Sequence, residues 1–437
     1  MSATLLALLL ALGPQLAPPG PRVAPDSAYT VRFEVDGIPV ILRHNTASEV
    51  VAANLYLLGG ARQITPATAG IEVMLLAASE RGTRHYPGAA VRQRTARLGG
   101  TISLESTDDW TAIGLHTIRA TFDSSWAILA DRVMAPTLDL TDVEIVRDQL
   151  VTGARERRTS PDDDVTELAD SLLMGSHPYA VSTTGTPASL AALSVAQLKQ
   201  YSAREMVRSR MLLVVVGNVD RASLERLVHI TLGTLPLGTY HWTPPPALPA
   251  GSAAVVMEER ALPTNYVLGY VPGPSATSRD YTAVRVATAV LSGRLFTEVR
   301  SRRNLSYAVE APFLERAYAV AGLYVTTVEP DAVLAIMRKE LNSLQNEEVD
   351  PAGLKRLEQQ FITEYYLKNE TNADQANVLA RAELYQGDYR SADRFMADLR
   401  RITPADVRSA ARRYLKDFRF AYVGDTTRVS RSRLQGF

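Results

Sequence analysis

Six histidines are spread along the 437 residues, at His44, His85, His116, His177, His229 and His241, and no two stand three or four positions apart. A protein zinc site takes about three imidazole, thiolate or carboxylate ligands held close together. This spacing offers no paired imidazoles on any one helix. The chain has no cysteine, which excludes disulfides, thiolate nucleophiles, thiolate-bound zinc and a lipid anchor on cysteine. Glu72 and Glu80 are the carboxylates of an apolar, alanine-rich stretch whose pattern predicts a helix over 66–80. Eight residues apart, they point about 80° away from each other and sit two turns apart, one carboxylate per turn. They read as surface or salt-bridged glutamates, and Glu156 is a lone acid further on. With 47 acidic and 47 basic side chains the formal charge is zero. Nothing in that balance attracts nucleic acid or an anionic membrane.

The elements that must position any site are strands and long helices in both halves. Residues Tyr29–Val35 and Ile38–Arg43 alternate around Asp36-Gly37, a hairpin signal, and Val50–Leu58 reads as a further strand. Helices are expected over 87–98, 123–135 and 141–175, with strands at 101–106 and 111–119. Later strands are expected near 253–259, 265–272, 306–314 and 319–328. The later helices fall near 278–303, 331–345, 350–369, 373–385, 392–400 and 404–416. One pattern occurs twice. Ser194 with Gln197 fits a capping box, and the helix it starts leads to a β-rich run ending at Gly217-Asn218. Thr403 with Pro404 fits an N-cap with proline in the first turn, and that helix leads to a run ending at Gly424-Asp425. This implies an α+β protein of two homologous domains, each a mostly antiparallel sheet covered by helices. The domains are placed at 27–235 and 253–437. The linker 236–252 between them holds Pro236, Pro244, Pro245, Pro246 and Pro249. At the N-terminus, Leu5, Leu6, Leu8, Leu9, Leu10 and Leu12 form an apolar block too short to span a bilayer. It ends at Gly13-Pro14, so residues 1–26 read as a signal peptide and spacer. The mature chain is expected to be exported, to the periplasm, with no membrane span.

Several short motifs lie along this frame: Gly70-Ile71 before the apolar helix, then Gly82-Thr83, Tyr86-Pro87, Leu98-Gly99-Gly100, His177-Pro178-Tyr179 and Gly185-Thr186-Pro187. With them the chain resembles the M16 metallopeptidase family, insulinase-like and mitochondrial-processing-peptidase-like, over nearly its whole length after the leader. In that family the helix carries an inverted zinc motif, His-x-x-Glu-His, and a second Glu ligand lies far downstream. Aligned on Gly70 and Gly82-Thr83, the two His positions fall on Val73 and Ala77, the motif Glu on Leu76, and the downstream Glu on Gly153 or a near neighbour. None of these can bind a metal or accept a proton from its water. The resemblance therefore implies a degenerate zinc site and no metal or cofactor in this chain.

The resemblance also implies what is kept. Family members carry an Arg followed seven residues later by a Tyr, in a setting matched here by Arg294-Leu295-Phe296 and Leu305-Ser306-Tyr307. Arg300 and Tyr307 correspond residue by residue, with Asn304 in place of a turn glycine. In the family this pair assists catalysis as donors to the substrate oxyanion. An edge strand that pairs with substrate maps onto Ser103, Leu104 and Glu105, where Leu104 is expected to narrow the groove. The implied role is a non-catalytic subunit of a heterodimeric zinc peptidase. Its partner would be a catalytic M16 chain with intact His-x-x-Glu-His, which holds the zinc, and the substrate a peptide. A scaffold subunit, a peptide-binding module without hydrolysis and a homodimer are the other roles open to such a sequence.

Overall fold

A computed structural model describes residues 29–437, so the expected leader lies outside the described residues. The first half builds one six-stranded sheet from β1 (Tyr29–Val35), β2 (Ile38–His44), β3 (Val50–Leu58), β4 (Thr101–Ser106), β5 (Trp110–Ile118) and β6 (Met211–Gly217), in the order β1-β2-β6-β3-β5-β4. β1 and β2 form the hairpin expected at Asp36-Gly37. Both turn residues have positive φ, 51° and 85°, as a two-residue primed turn requires. The second half builds its sheet from β7 (Ala254–Glu259), β8 (Asn265–Ser275), β9 (Val309–Glu310), β10 (Phe313–Leu314), β11 (Tyr318–Thr327) and β12 (Arg419–Gly424). The order is β10-β11-β8-β12-β7, with β9 also on β11.

The repeated pattern occupies equivalent places. Ser194 Oγ caps the helix Val195–Glu205, which leads into β6. Thr403 Oγ caps the helix Pro404–Tyr414, which leads into β12, and Asp406 completes a capping box there. β6 runs parallel to β2 and antiparallel to β3, and β12 runs parallel to β7 and antiparallel to β8. Each sheet is thus mixed, with one parallel pair, because these strands return through a helix rather than a hairpin. Gly217 and Gly424 end the two strands at φ 143° and 149°. A Cβ there would strike the Val50 carbonyl oxygen at 2.9 Å or Asn265 Oδ1 at 2.4 Å.

Several elements differ from the sequence expectation. The helix expected over 66–80 begins only at Ile71, because the left-handed Gly70 separates it from a short 3-10 turn at Pro66–Thr68. The helix expected over 141–175 is two helices, Leu140–Thr159 and Pro161–Met174. Ser160 leaves the helical region at ψ 119° and caps the second by accepting from the Asp163 amide, with Pro161 in its first turn. The helix expected over 278–303 stops being α-helical at Leu295 and continues as a π-helical turn, Phe296–Ser301. The strand expected over 306–314 is reduced to β9 and β10, which share one register against β11. Between them Pro312 has no N–H to give.

Each sheet packs one face on helices of its own half. The opposite face receives a helix from the other half. Ile41, Tyr56, Trp110, Leu212 and Val214 of the first sheet meet Ala376, Leu379 and Ala380 of the helix Asn372–Gln386. Reciprocally, Val165, Ala169 and Leu173 of the helix Pro161–Met174 lie on Leu268, Tyr270, Val320 and Ala421 of the second sheet. The two halves therefore share buried apolar surface in both directions.

Candidate functional site

The helix Ile71–Ser79 starts at Gly70, whose φ of 84° suits glycine. A Cβ on Gly70 would lie 2.7 Å from Leu190 Cδ2 and 2.9 Å from Gly185 Cα, and Gly185 itself has φ 83°. Two of the motif glycines thus meet each other at the start of this helix. The four positions that the sequence alignment places on the zinc motif carry no donor side chain. Leu76 is buried in the first-half core, and Val73 and Ala77 are half-buried. Gly153 lies on the neighbouring helix Leu140–Thr159, and nothing comes within 4 Å of where its Cβ would stand. Among the described residues, no three His, Asp or Glu side chains come together as a metal site. Zinc does not fit this donor set.

The two glutamates of the helix are engaged elsewhere. Glu72 is buried, accepts hydrogen bonds from Tyr201 Oη at 3.0 Å and Arg210 Nη2 at 2.9 Å, and so belongs to a structural ion pair. Arg210, 1% exposed, also donates to the carbonyls of Leu58 and Glu205 and lies 3.3 Å from the Glu205 carboxylate. Burial alone would lower its guanidinium, but Glu72, Tyr201 and Glu205 hold it above its ordinary range. Glu80 stands 3.8 Å from Arg132, which donates to Ser79 Oγ and the Leu76 carbonyl at the end of the same helix. Burial lowers Arg132 to about 10.

β4 is the outer strand of the first sheet. The Thr107 amide bonds the Trp110 carbonyl across the turn. By alternation down the ladder, Ser103 and Glu105 bond to β5, and Ile102, Leu104 and Ser106 turn their N–H and C=O groups outward. Ser103 and Glu105 are exposed, while the Leu104 and Ile102 side chains rest against the core. The corresponding edge of the second sheet is closed. There Ser292 Oγ accepts from the Ala311 amide at 2.6 Å and donates to the Ala311 carbonyl at 3.3 Å, and Pro312 follows. The β4 edge thus offers an outward ladder for an added strand, whereas its counterpart in the second half is interrupted at Ala311.

Arg300 lies in the π-helical turn and Tyr307 in the segment just before β9. The turn between them passes through Asn304 at φ 52°, which asparagine tolerates. The Arg300 guanidinium lies 4.6 Å from the Tyr307 ring centre and 5.2 Å from that of Phe296. Tyr307 is 81% exposed. The neighbouring Arg302 and Arg303 both pair with Glu298, and the bond from Arg303, then the Arg302 charge, hold that carboxyl below its usual range. Arg300 makes no such pair among the described residues. The fold thus presents one guanidinium and one phenol free to donate. It brings Arg300 and Tyr307 together, and separately packs the helix Ile71–Ser79 against β4 and the helix Leu140–Thr159. The two groups sit in different halves.

Sequence reasoning missed a cluster between the halves. Asp108 and Asp109, in the turn after β4, look like solvated turn residues. Asp109 is 1% exposed and accepts from Tyr179 Oη at 2.7 Å and Tyr385 Oη at 2.9 Å. His177-Pro178-Tyr179 holds this place, and the His177 ring also meets the Pro246 carbonyl.

Residues 39–186 match the family described as Insulinase (Peptidase family M16), and residues 192–361 match Peptidase M16 inactive domain. The fold and this frame define an M16-type two-domain unit, and the chain belongs to the M16 peptidase family. An uncharacterized zinc protease of Mycobacterium leprae is 24% identical over 390 residues, 87% of each chain. Mitochondrial cytochrome b-c1 complex subunit 1 of Bos taurus is 27% identical over 214 residues, 48% of this chain and 44% of that one. A peptidase M16 inactive domain from Pseudomonas fluorescens superposes with a TM-score of 0.82 at 18% identity, covering 91% of this chain and 98% of that structure.

Proposed function

We propose that this chain is the non-catalytic subunit of a heterodimeric M16 zinc peptidase, exported to the periplasm and paired with a sister chain that carries His-x-x-Glu-His and the zinc. The observation that carries this reading is the asymmetry of the two site halves. Val73, Leu76, Ala77 and Gly153 leave the metal half empty of donors, while Arg300 and Tyr307 stand unspent and accessible. Zinc in the sister chain would supply the activated water. Arg300 and Tyr307 would donate hydrogen bonds to the oxygen on which charge develops as the peptide carbonyl is attacked. The outward groups of β4 would hold part of the peptide backbone by strand addition. The test is reconstitution. The isolated chain is expected to cleave no peptide with or without added zinc. Mixed with a sister M16 chain, it is expected to co-purify and raise zinc-dependent turnover. Chelator-sensitive cleavage by this chain alone would overturn the reading.

A second reading, a scaffold subunit with no part in hydrolysis, is favoured by the similarity to the cytochrome b-c1 complex subunit. It predicts a stable complex whose turnover is indifferent to Arg300 and Tyr307.

A further inference from the structure

The turn that closes β4 is held from the other half of the molecule. Arg316, in the turn between β10 and β11, places Nε 3.4 Å from Asp108 and Nη1 3.8 Å from Asp170 on the helix Pro161–Met174. Tyr385, on the helix Asn372–Gln386, donates to Asp109 and packs its ring 5.3 Å from that of Trp110, the first residue of β5. From the first half, Tyr179 donates to Asp109, Arg62 reaches it at 3.8 Å, and the turn's backbone carbonyls bond the amides of Gly59 and Ala61. Arg62 Nη2, Asp170 Oδ1 and Arg316 Nη1 are buried with no hydrogen-bond partner. The contacts these atoms make at 3.8 Å are ion pairs too long to be hydrogen bonds. A buried polar network satisfied only in part is sensitive to the loss of any member.

The geometry points to Arg316 and Tyr385 as positioning residues for the open edge of β4. They act through Asp108 and Asp109, so that the packing of the two halves sets how firmly the peptide-pairing strand is held. This inference rests on the reading of β4 as the peptide edge. The turn is held between the halves, with Asp109 buried and Asp108 a quarter exposed. Neither residue touches the edge itself, so their effect passes through the turn.

The test is hydrogen–deuterium exchange on the full chain, which needs neither peptide nor sister subunit. Protection is followed at Ser103, Glu105 and Thr107, whose amides bond inward to β5. In Arg316→Met and Tyr385→Phe, protection there is expected to fall about ten-fold while β3 and β6 keep theirs. Arg316→Lys, which keeps the charge, is expected to recover part of it. Peptide affinity for the edge, measured in the reconstituted pair, should weaken in step. Unchanged protection at the three amides, or an equal loss throughout both sheets, would overturn the inference. Tyr385→Phe removes a single hydroxyl and keeps the ring, so it serves if Arg316→Met does not fold. If exchange responds but no peptide binds at β4, the coupling stands and the peptide reading falls. If peptide binds and exchange is unmoved, the reverse holds.

Discussion

Replacing Arg300 by methionine separates catalysis from stability. The side chain has no acid partner among the described residues and lies over the faces of Tyr307 and Phe296. Exposed cation–π contacts of this kind are worth about 0.5–1 kcal/mol each, and methionine keeps most of the stem packing. Unfolding of the isolated chain should therefore shift by no more than about 2 kcal/mol. In the reconstituted pair the loss is of another order. One preorganised donor to an oxyanion contributes about 2.7–4 kcal/mol, so turnover at saturating peptide should fall about 10²–10³-fold. Arg302 and Arg303, already tied to Glu298, serve as internal controls, and alanine at either should leave turnover near the parent value. The assay is cleavage of a fluorogenic peptide, with thermal unfolding and co-elution measured on the same samples. A pair that elutes intact and turns over within about two-fold of the parent would refute the catalytic role of Arg300.

Arg210→Met should strand the buried Glu72 carboxylate and cost about 3–5 kcal/mol in denaturant unfolding. Combining it with Glu72→Leu should recover much of that loss. Gly70→Ala forces a side chain into a left-handed conformation against Leu190 and Gly185, and should cost about 1–3 kcal/mol by the same measurement. Burial, opposed in part by Arg316, raises Asp108 from 3.8 to about 6. Between pH 4 and 6 the folded chain holds this proton and the unfolded chain does not. The contribution is therefore full below about pH 4 and is lost as pH rises through 6. With the side chain a quarter exposed, it amounts to on the order of 1–2 kcal/mol. Asp108→Asn should flatten this part of the profile of Tm against pH, and an unchanged profile would show that Asp108 does not titrate there.

Much of the frame was legible because it is written in local rules. The Ser194 and Thr403 caps, the glycines that stop β6 and β12, and the Asp36-Gly37 turn each specify a backbone conformation that few other residues adopt. Alternation marks the outer strands β1 and β4, and the continuous apolar runs of β3 and β6 mark strands buried on both faces. The helix break at Ser160-Pro161 is also local, but the apolar pattern continues on both sides of it and masks it.

The residue types at 73, 76, 77 and 153 settle by themselves that no zinc ligand stands there, since valine, leucine, alanine and glycine carry no donor in any conformation. Which charged residues are already spent was decided only by folding. Arg300 and Arg303 read alike in a basic run, yet Glu298 meets one and not the other. Ser292 closes one sheet edge while β4 stays open. Asp109 is buried because a tyrosine more than two hundred residues away, on a helix exchanged between halves, reaches it. Pairings of this kind depend on where distant segments meet, and sequence order does not encode that separation.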